Sequence, residues 1–206
     1  YLGRAYVAGH AQALGLPSRL SDWNDTHVLR ALLAHGHDAV GNLLLGDLAR
    51  EHFIQAPPPT PIEQAHKREL YVGMAQASAS GELPGSSAGG EQPKFAAYVA
   101  RDGGAAHVLV KFSLPDDNPI TQRWRDLLLA EHLALETLLA ADIPAVRSQV
   151  FDHAGQRFLE LERFDRVGPT GRCGVFSLAA LEAEFVGQAR APWPVLVAQL
   201  AHAGQV

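Results

Sequence analysis

Between Lys94 and Ala100 apolar and polar positions alternate with a period of two. Phe95, Ala97 and Val99 fall on one face, and Lys94, Ala96 and Tyr98 on the other. After the turn residues Asp102-Gly103-Gly104 the alternation resumes from His107 to Phe112, with Val108, Val110 and Phe112 facing one way and His107, Leu109 and Lys111 the other. The two runs predict an antiparallel hairpin. A helix is expected from Thr121 to Ala140, ending before Ile143-Pro144. Two further strands, Arg147–Phe151 and Gln156–Leu161, flank a turn at His153-Ala154-Gly155. Beyond Gly168-Pro169-Thr170-Gly171 the pattern turns helical, near Leu178–Gln188 and Val195–His202.

Towards the N-terminus, Val28, Leu29, Leu32 and Leu33 recur at helical spacing, so Thr26 to Ala34 reads as a helix with Thr26 as its cap. The segment from Asp38 to Gly46 reads as a turn and a short buried strand. Pro57-Pro58-Pro59-Thr60-Pro61 excludes helix and central strand and marks a boundary. Ile62 to Ala79 reads as a helix, leading into a small-residue stretch from Ser78 to Gly90 whose simplest reading is a solvated linker. Strands, one helix, strands and then helices describe an α+β fold.

Composition narrows the function classes. The chain has 206 residues, 47% of them hydrophobic and 19% charged, which is globular rather than disordered. A formal charge of −5 argues against a whole-surface grip on nucleic acid, and no helix is rich in Arg and Lys. One cysteine, Cys173, excludes an internal disulfide and a multi-cysteine zinc module, and fits a reducing compartment such as the cytoplasm. Charges interrupt every long apolar stretch, so no membrane-spanning helix is expected. Tyr1 heads the chain and Met74 is its one methionine, which suggests a piece of a longer protein.

The residues with most chemical content surround the hairpin. Gly85-Ser86-Ser87-Ala88-Gly89-Gly90 offers unhindered backbone N–H groups that can wrap an anion. Lys94 opens the following strand and Lys111 lies on its neighbour. In the long helix, Glu131 shares a stripe with Trp124, Leu127, Leu128, Leu135 and Leu138, the face expected to pack on the sheet. A lysine and a glutamate that both point inward are reasonable if they meet. A glycine loop, a strand lysine and a helix glutamate holding it are parts of a kinase N-lobe. The same pattern also fits a Lys111 snorkelling at the surface and a Glu131 at the rim.

Other motifs fit less well. Gly85-Ser-Ser87-Ala-Gly89 matches the hydrolase elbow G-x-S-x-G, but that motif needs a buried strand before it and a helix after it, and here Pro93 opens a strand. Gly85 to Gly90 has P-loop spacing, yet Glu91-Gln92 stand where Lys-Ser/Thr is required. His35, His37 and Asp38 lack a further metal ligand at helical spacing, and Cys173 has no base beside it in sequence.

Taken together, Gly85-Ser-Ser-Ala-Gly-Gly-Glu-Gln-Pro-Lys94, Val108-Leu-Val-Lys111-Phe112, the Glu131 helix and Glu162-Arg-Phe-Asp-Arg166 resemble the HipA family of serine/threonine kinases, toxins of bacterial toxin–antitoxin pairs. The loop wording is most like the YjjJ type. The resemblance implies a kinase-like N-lobe over 85–168, preceded by a small N-terminal subdomain over 1–56 and a linker and helix over 57–84. Residues 169–206 would begin a helical C-lobe. It also implies ATP and Mg²⁺ as cofactors. Ser86, Ser87, Ala88, Gly89, Gly90 and Lys94 would form the phosphate loop, with Ser86 or Ser87 at the regulatory autophosphorylation position. Lys111 would neutralise phosphates and Glu131 hold it; Glu162 and Phe164 would meet adenine, and Asp165 the ribose hydroxyls.

The family's catalytic aspartate lies in an Asn/Asp/His-rich C-lobe segment, with a metal-binding aspartate further on, and neither pattern occurs here. No catalytic residue is therefore expected in this chain, the metal ligands are expected beyond residue 206, and the chain alone is expected to be inactive. A protein substrate of the translation machinery is implied by the family, as is an antitoxin or DNA-binding partner, with a DNA-binding domain preceding Tyr1 in some relatives. The alternative is a non-catalytic ATP-binding or protein-interaction module.

Overall fold

The structure, a computed structural model, describes Tyr6 and residues 9–82, 92–187 and 191–205. The chain divides into two compact units, Tyr1–Cys173 and Gly174–Val206.

The first unit is built on a four-stranded antiparallel sheet of β1 (Lys94–Arg101), β2 (Gly104–Phe112), β3 (Ser148–His153) and β4 (Gln156–Glu162), in the order β1-β2-β4-β3. Both hairpins follow from their turn residues: Gly103 takes φ 89°, and Ala154 and Gly155 take 48° and 75°. The register pairs Lys94 with Lys111, Phe95 with Val110 and Ala97 with Val108, so the alternation legible in the sequence becomes two chemically distinct faces.

One face carries Phe95, Ala97, Val99, Val108, Val110, Phe112 and Phe158, all buried against Tyr71 and Ala75 of a helix over Gln64–Ser80. That helix (α3, after α1 Asp25–His35 and α2 Gly46–Gln55) buries Lys67, Tyr71, Ala75 and Ser78, a single stripe at helical spacing. Just before α3, Ile62 pairs with Val99 and covers part of the β1 edge.

The opposite face meets α4 (Pro119–Ala140), which starts at Asn118, whose side chain accepts from the Thr121 N–H at 2.9 Å. Here the expected stripe is only partly right. Leu128 is buried, but Trp124, Leu127 and Leu138 are exposed. Leucines occupy most of the circumference of α4, so spacing alone does not single out the packed face.

Two N-terminal expectations also change. Asn24, not Thr26, caps α1, in a reciprocal capping box with His27. Asp38 to Gly46 forms no buried strand: Gly41 and Gly46 take left-handed φ of 76° and 80°, the segment pairs with none of the strands, and Leu43 is exposed. A small core of Tyr6, Ala11, Leu16 and Ala31, backed by Leu14 and Trp23, holds this region.

The short strands β5 (Arg166–Val167) and β6 (Gly171–Arg172) close the first unit. In the second unit, Ser177 caps α5 (Leu178–Phe185), which ends before Gly187 at φ 68°, sooner than the sequence pattern suggests. There α6 (Trp193–His202) begins two residues earlier than expected, because Pro194 is accommodated in a first turn whose N–H groups need no partner. Leu196 and Leu200 are its buried positions.

Candidate functional site

The face of the sheet turned to α4 carries three rows of side chains set by the strand register. Lys94, Lys111 and Leu159 form one row; Ala96, Leu109 and Leu161 form the next; Tyr98 and His107 form the third. Directly opposite residues on antiparallel strands stand about 5 Å apart at Cβ, where like charges repel. Two lysines therefore begin from a mutually unfavourable position.

Glu131, projecting from α4, relieves half of it. The Lys111 ammonium donates to both carboxylate oxygens of Glu131, at 2.6 and 2.7 Å. Residues 20 positions apart are thus joined by the sheet–helix packing. Lys94, only 4% exposed, has its pKa lowered, first by burial and then by the Lys111 ammonium, against the pull of Glu131. Among the described residues, two ammonium groups stand near one carboxylate here, an excess of positive charge. Ser78 of α3 donates to the Lys94 carbonyl at 2.9 Å and fixes the start of β1.

Ser86, Ser87, Ala88, Gly89 and Gly90, expected to form the phosphate loop, lie outside the described residues.

At the other end of the groove, β4 runs out through Glu162. The Arg163 N–H donates to the His107 carbonyl, and the Glu162 N–H to that of Arg147. Glu162 and Phe164 point outward, Phe164 being 69% exposed. Glu162 pairs with Val108 and Leu159 with Lys111, three residues further along β2, so the lysine row and the Glu162 level are separated by roughly 10 Å.

Asp165, expected to meet the ribose hydroxyls, lies among protein donors. It is 4% exposed and accepts from Arg163 at 3.0 and 2.9 Å, from Arg166 at 2.8 Å and from the Gly41 N–H at 2.9 Å. Burial alone would raise its pKa; these donors outweigh burial and hold the carboxyl down at about 2. Both oxygens are engaged within the protein, which makes this carboxylate a structural hub.

A second buried network escaped the sequence reading. Glu160 lies on the apolar face, paired with Val110, and takes a hydrogen bond from the Tyr71 hydroxyl at 2.6 Å, with Lys67 at 3.4 Å and Arg101 also bonded to it. Lys67 in turn donates to Gln149 at 2.9 Å. Burial lowers the Lys67 pKa, against the pull of Glu160, and raises that of Tyr71. The available signal was an acidic residue two positions from Phe158, hence on the same face of β4 as a core aromatic. Among the described residues no group of three or more His, Cys, Asp or Glu side chains is arranged to hold a metal ion. Nor is any described helix long and apolar enough to cross a membrane.

Comparison with known proteins finds two family models that match the chain. A family model described as the YjjJ-like toxin middle domain matches residues 1–54, and one described as the HipA-like C-terminal domain matches 86–189. Toxin YjjJ of Escherichia coli (strain K12) is 38% identical over 201 residues, covering 97% of this chain and 45% of that protein. The chain therefore spans less than half the length of the curated relative it matches. No solved structure matches.

Proposed function

The chain belongs to the HipA-like family, and from that premise we propose that it carries the nucleotide-binding half of an ATP-dependent serine/threonine protein kinase of the toxin type. The observation that carries this reading is the opposed pair Lys94 and Lys111, with Glu131 bonded to Lys111 and within electrostatic reach of Lys94. An excess cation held in a partly desolvated place is costly unless an anion completes it, and a polyphosphate is an anion of suitable charge.

The rest of the groove is compatible with the remainder of a nucleotide. The apolar row Ala96, Leu109 and Leu161 would lie beneath ribose and base. The backbone at Glu162 and Phe164, roughly 10 Å from the lysine row, would meet the base edge. In a phosphoryl transfer the lysines would counter charge on the phosphate oxygens, while Glu131 would keep the Lys111 ammonium aimed at them. The acceptor would be a serine or threonine hydroxyl of a protein, and an antitoxin would be the natural partner of such a toxin. Mg²⁺ would accompany the nucleotide phosphates; among the described residues no group of three or more His, Cys, Asp or Glu side chains is arranged to hold it.

Thermal unfolding with and without ATP tests the reading. A ligand present at about a hundred times its dissociation constant stabilises by about 2.7 kcal/mol. The wild type should show an upward shift in Tm that Lys111→Ala abolishes. Absence of any shift at millimolar ATP would remove the proposal.

A further inference from the structure

The hub around Asp165 joins the stretch Glu162–Asp165 that leaves β4, here called the hinge, to a distant part of the sequence. From β4 outward the side chains alternate: Glu162 and Phe164 face out, while Arg163 and Asp165 are buried. The buried pair meets the loop 38–41, which lies more than 120 residues earlier. Arg163 donates to Asp38 at 3.2 Å, and Arg166 donates to Asp38 at 2.6 Å and to the carbonyls of Ala39 and Gly41 at 2.9 and 3.0 Å. Arg172 donates to the His37 carbonyl at 2.7 Å and stacks 4.3 Å over the Phe53 ring.

Buried ion networks are an inefficient source of stability, because desolvation offsets most of the attraction, and apolar packing would serve as well. What bidentate arginine–carboxylate bonding does supply is direction. Here that direction is imposed on the two residues flanking Phe164, so the backbone on either side of an exposed side chain is held from behind.

We infer that the 38–41 loop is a brace for the hinge, and that Asp38 is a positioning residue for the base end of the bound nucleotide, acting through Arg163 and Arg166. This rests on the nucleotide reading above. Asp38 sets the position of the Glu162–Phe164 backbone and has no part in the lysine row, so it governs recognition of the base and leaves the phosphate end alone. The N-terminal segment thereby becomes part of the nucleotide site without touching nucleotide.

The test titrates wild type, Asp38→Asn and Asp38→Glu with ATP and with tripolyphosphate, which has the phosphates and no base. Asp38→Asn should weaken ATP roughly ten- to a hundredfold and leave tripolyphosphate within about twofold, since a small misplacement of a positioning group has effects of that order. Asp38→Glu, which keeps a carboxylate, should recover most of the ATP affinity. Unchanged ATP binding in Asp38→Asn overturns the brace alone, as does parallel weakening of both ligands, which would mark a general loss of structure. If the wild type binds only ATP, loss in Asp38→Asn with recovery in Asp38→Glu supports the brace, and any other pattern overturns it. A wild type that binds neither ligand removes the nucleotide reading and the brace together.

Discussion

Lys94 and Lys111 differ in what they need. Lys111 already has Glu131 on both of its carboxylate oxygens, whereas Lys94 is buried beside a second ammonium and has its pKa pushed below 10.5. Its proton is therefore lost at lower pH than an ordinary lysine's, and a bound phosphate would favour its return. ATP affinity should fall as pH rises towards 10.5, and Lys94→Arg should remove that alkaline decline; titrations at stepped pH measure both. Asp165 works in the opposite sense. Its folded pKa of about 2 lies below the ordinary 3.8, so its stabilisation is complete above the ordinary value and disappears as pH falls through about 2. Asp165→Asn should cost about 3–5 kcal/mol at neutral pH, because Arg163 and Arg166 stay buried without it. The gap between the two proteins in urea unfolding should narrow between pH 4 and pH 2.

The two helices flanking the sheet hold it by different means. On one side α3 combines aromatic packing with the Tyr71–Glu160–Lys67 network, so its docking is directional as well as apolar. Tyr71→Phe keeps the ring and removes the hydroxyl, and should cost about 1.5–3 kcal/mol, the usual range for a hydrogen bond to a charged group. On the other side α4 relies on Leu128 and on the pull of Lys111 for Glu131. Leu128→Ala should cost about 2–5 kcal/mol by chemical denaturation. It should also weaken ATP binding, because Glu131 reaches Lys111 only while the helix keeps its seat. The strands and their faces were legible at this scale, since period-two alternation and glycine turns are local. The packed face of α4 was not, because leucines surround the helix and only its neighbours choose among them.

For the molecule as a whole, the 206 residues should bind nucleotide without transferring phosphate, since the Asn/Asp/His-rich catalytic segment does not occur in their sequence. Incubation with radiolabelled ATP and protein acceptors should yield no labelled product, and robust turnover would contradict the expectation. The N-terminal segment shows where reading along the chain stops short. A buried strand expected over 38–46 proved to be an irregular loop, and its importance lies in contacts with Arg163 and Arg166. By itself the sequence determined the two hairpins and most of the helices, though not α2, because periodicity and turn chemistry act between near neighbours; it left open whether Lys111 and Glu131 point inward. Tertiary structure alone decided that Lys111 meets Glu131, that Glu160 is neutralised by Lys67 of α3 and Arg101 of β1, and that Asp165 is engaged by arginines and Gly41. Those outcomes depend on which distant charges share a low-dielectric space, and no spacing along the chain encodes that distance.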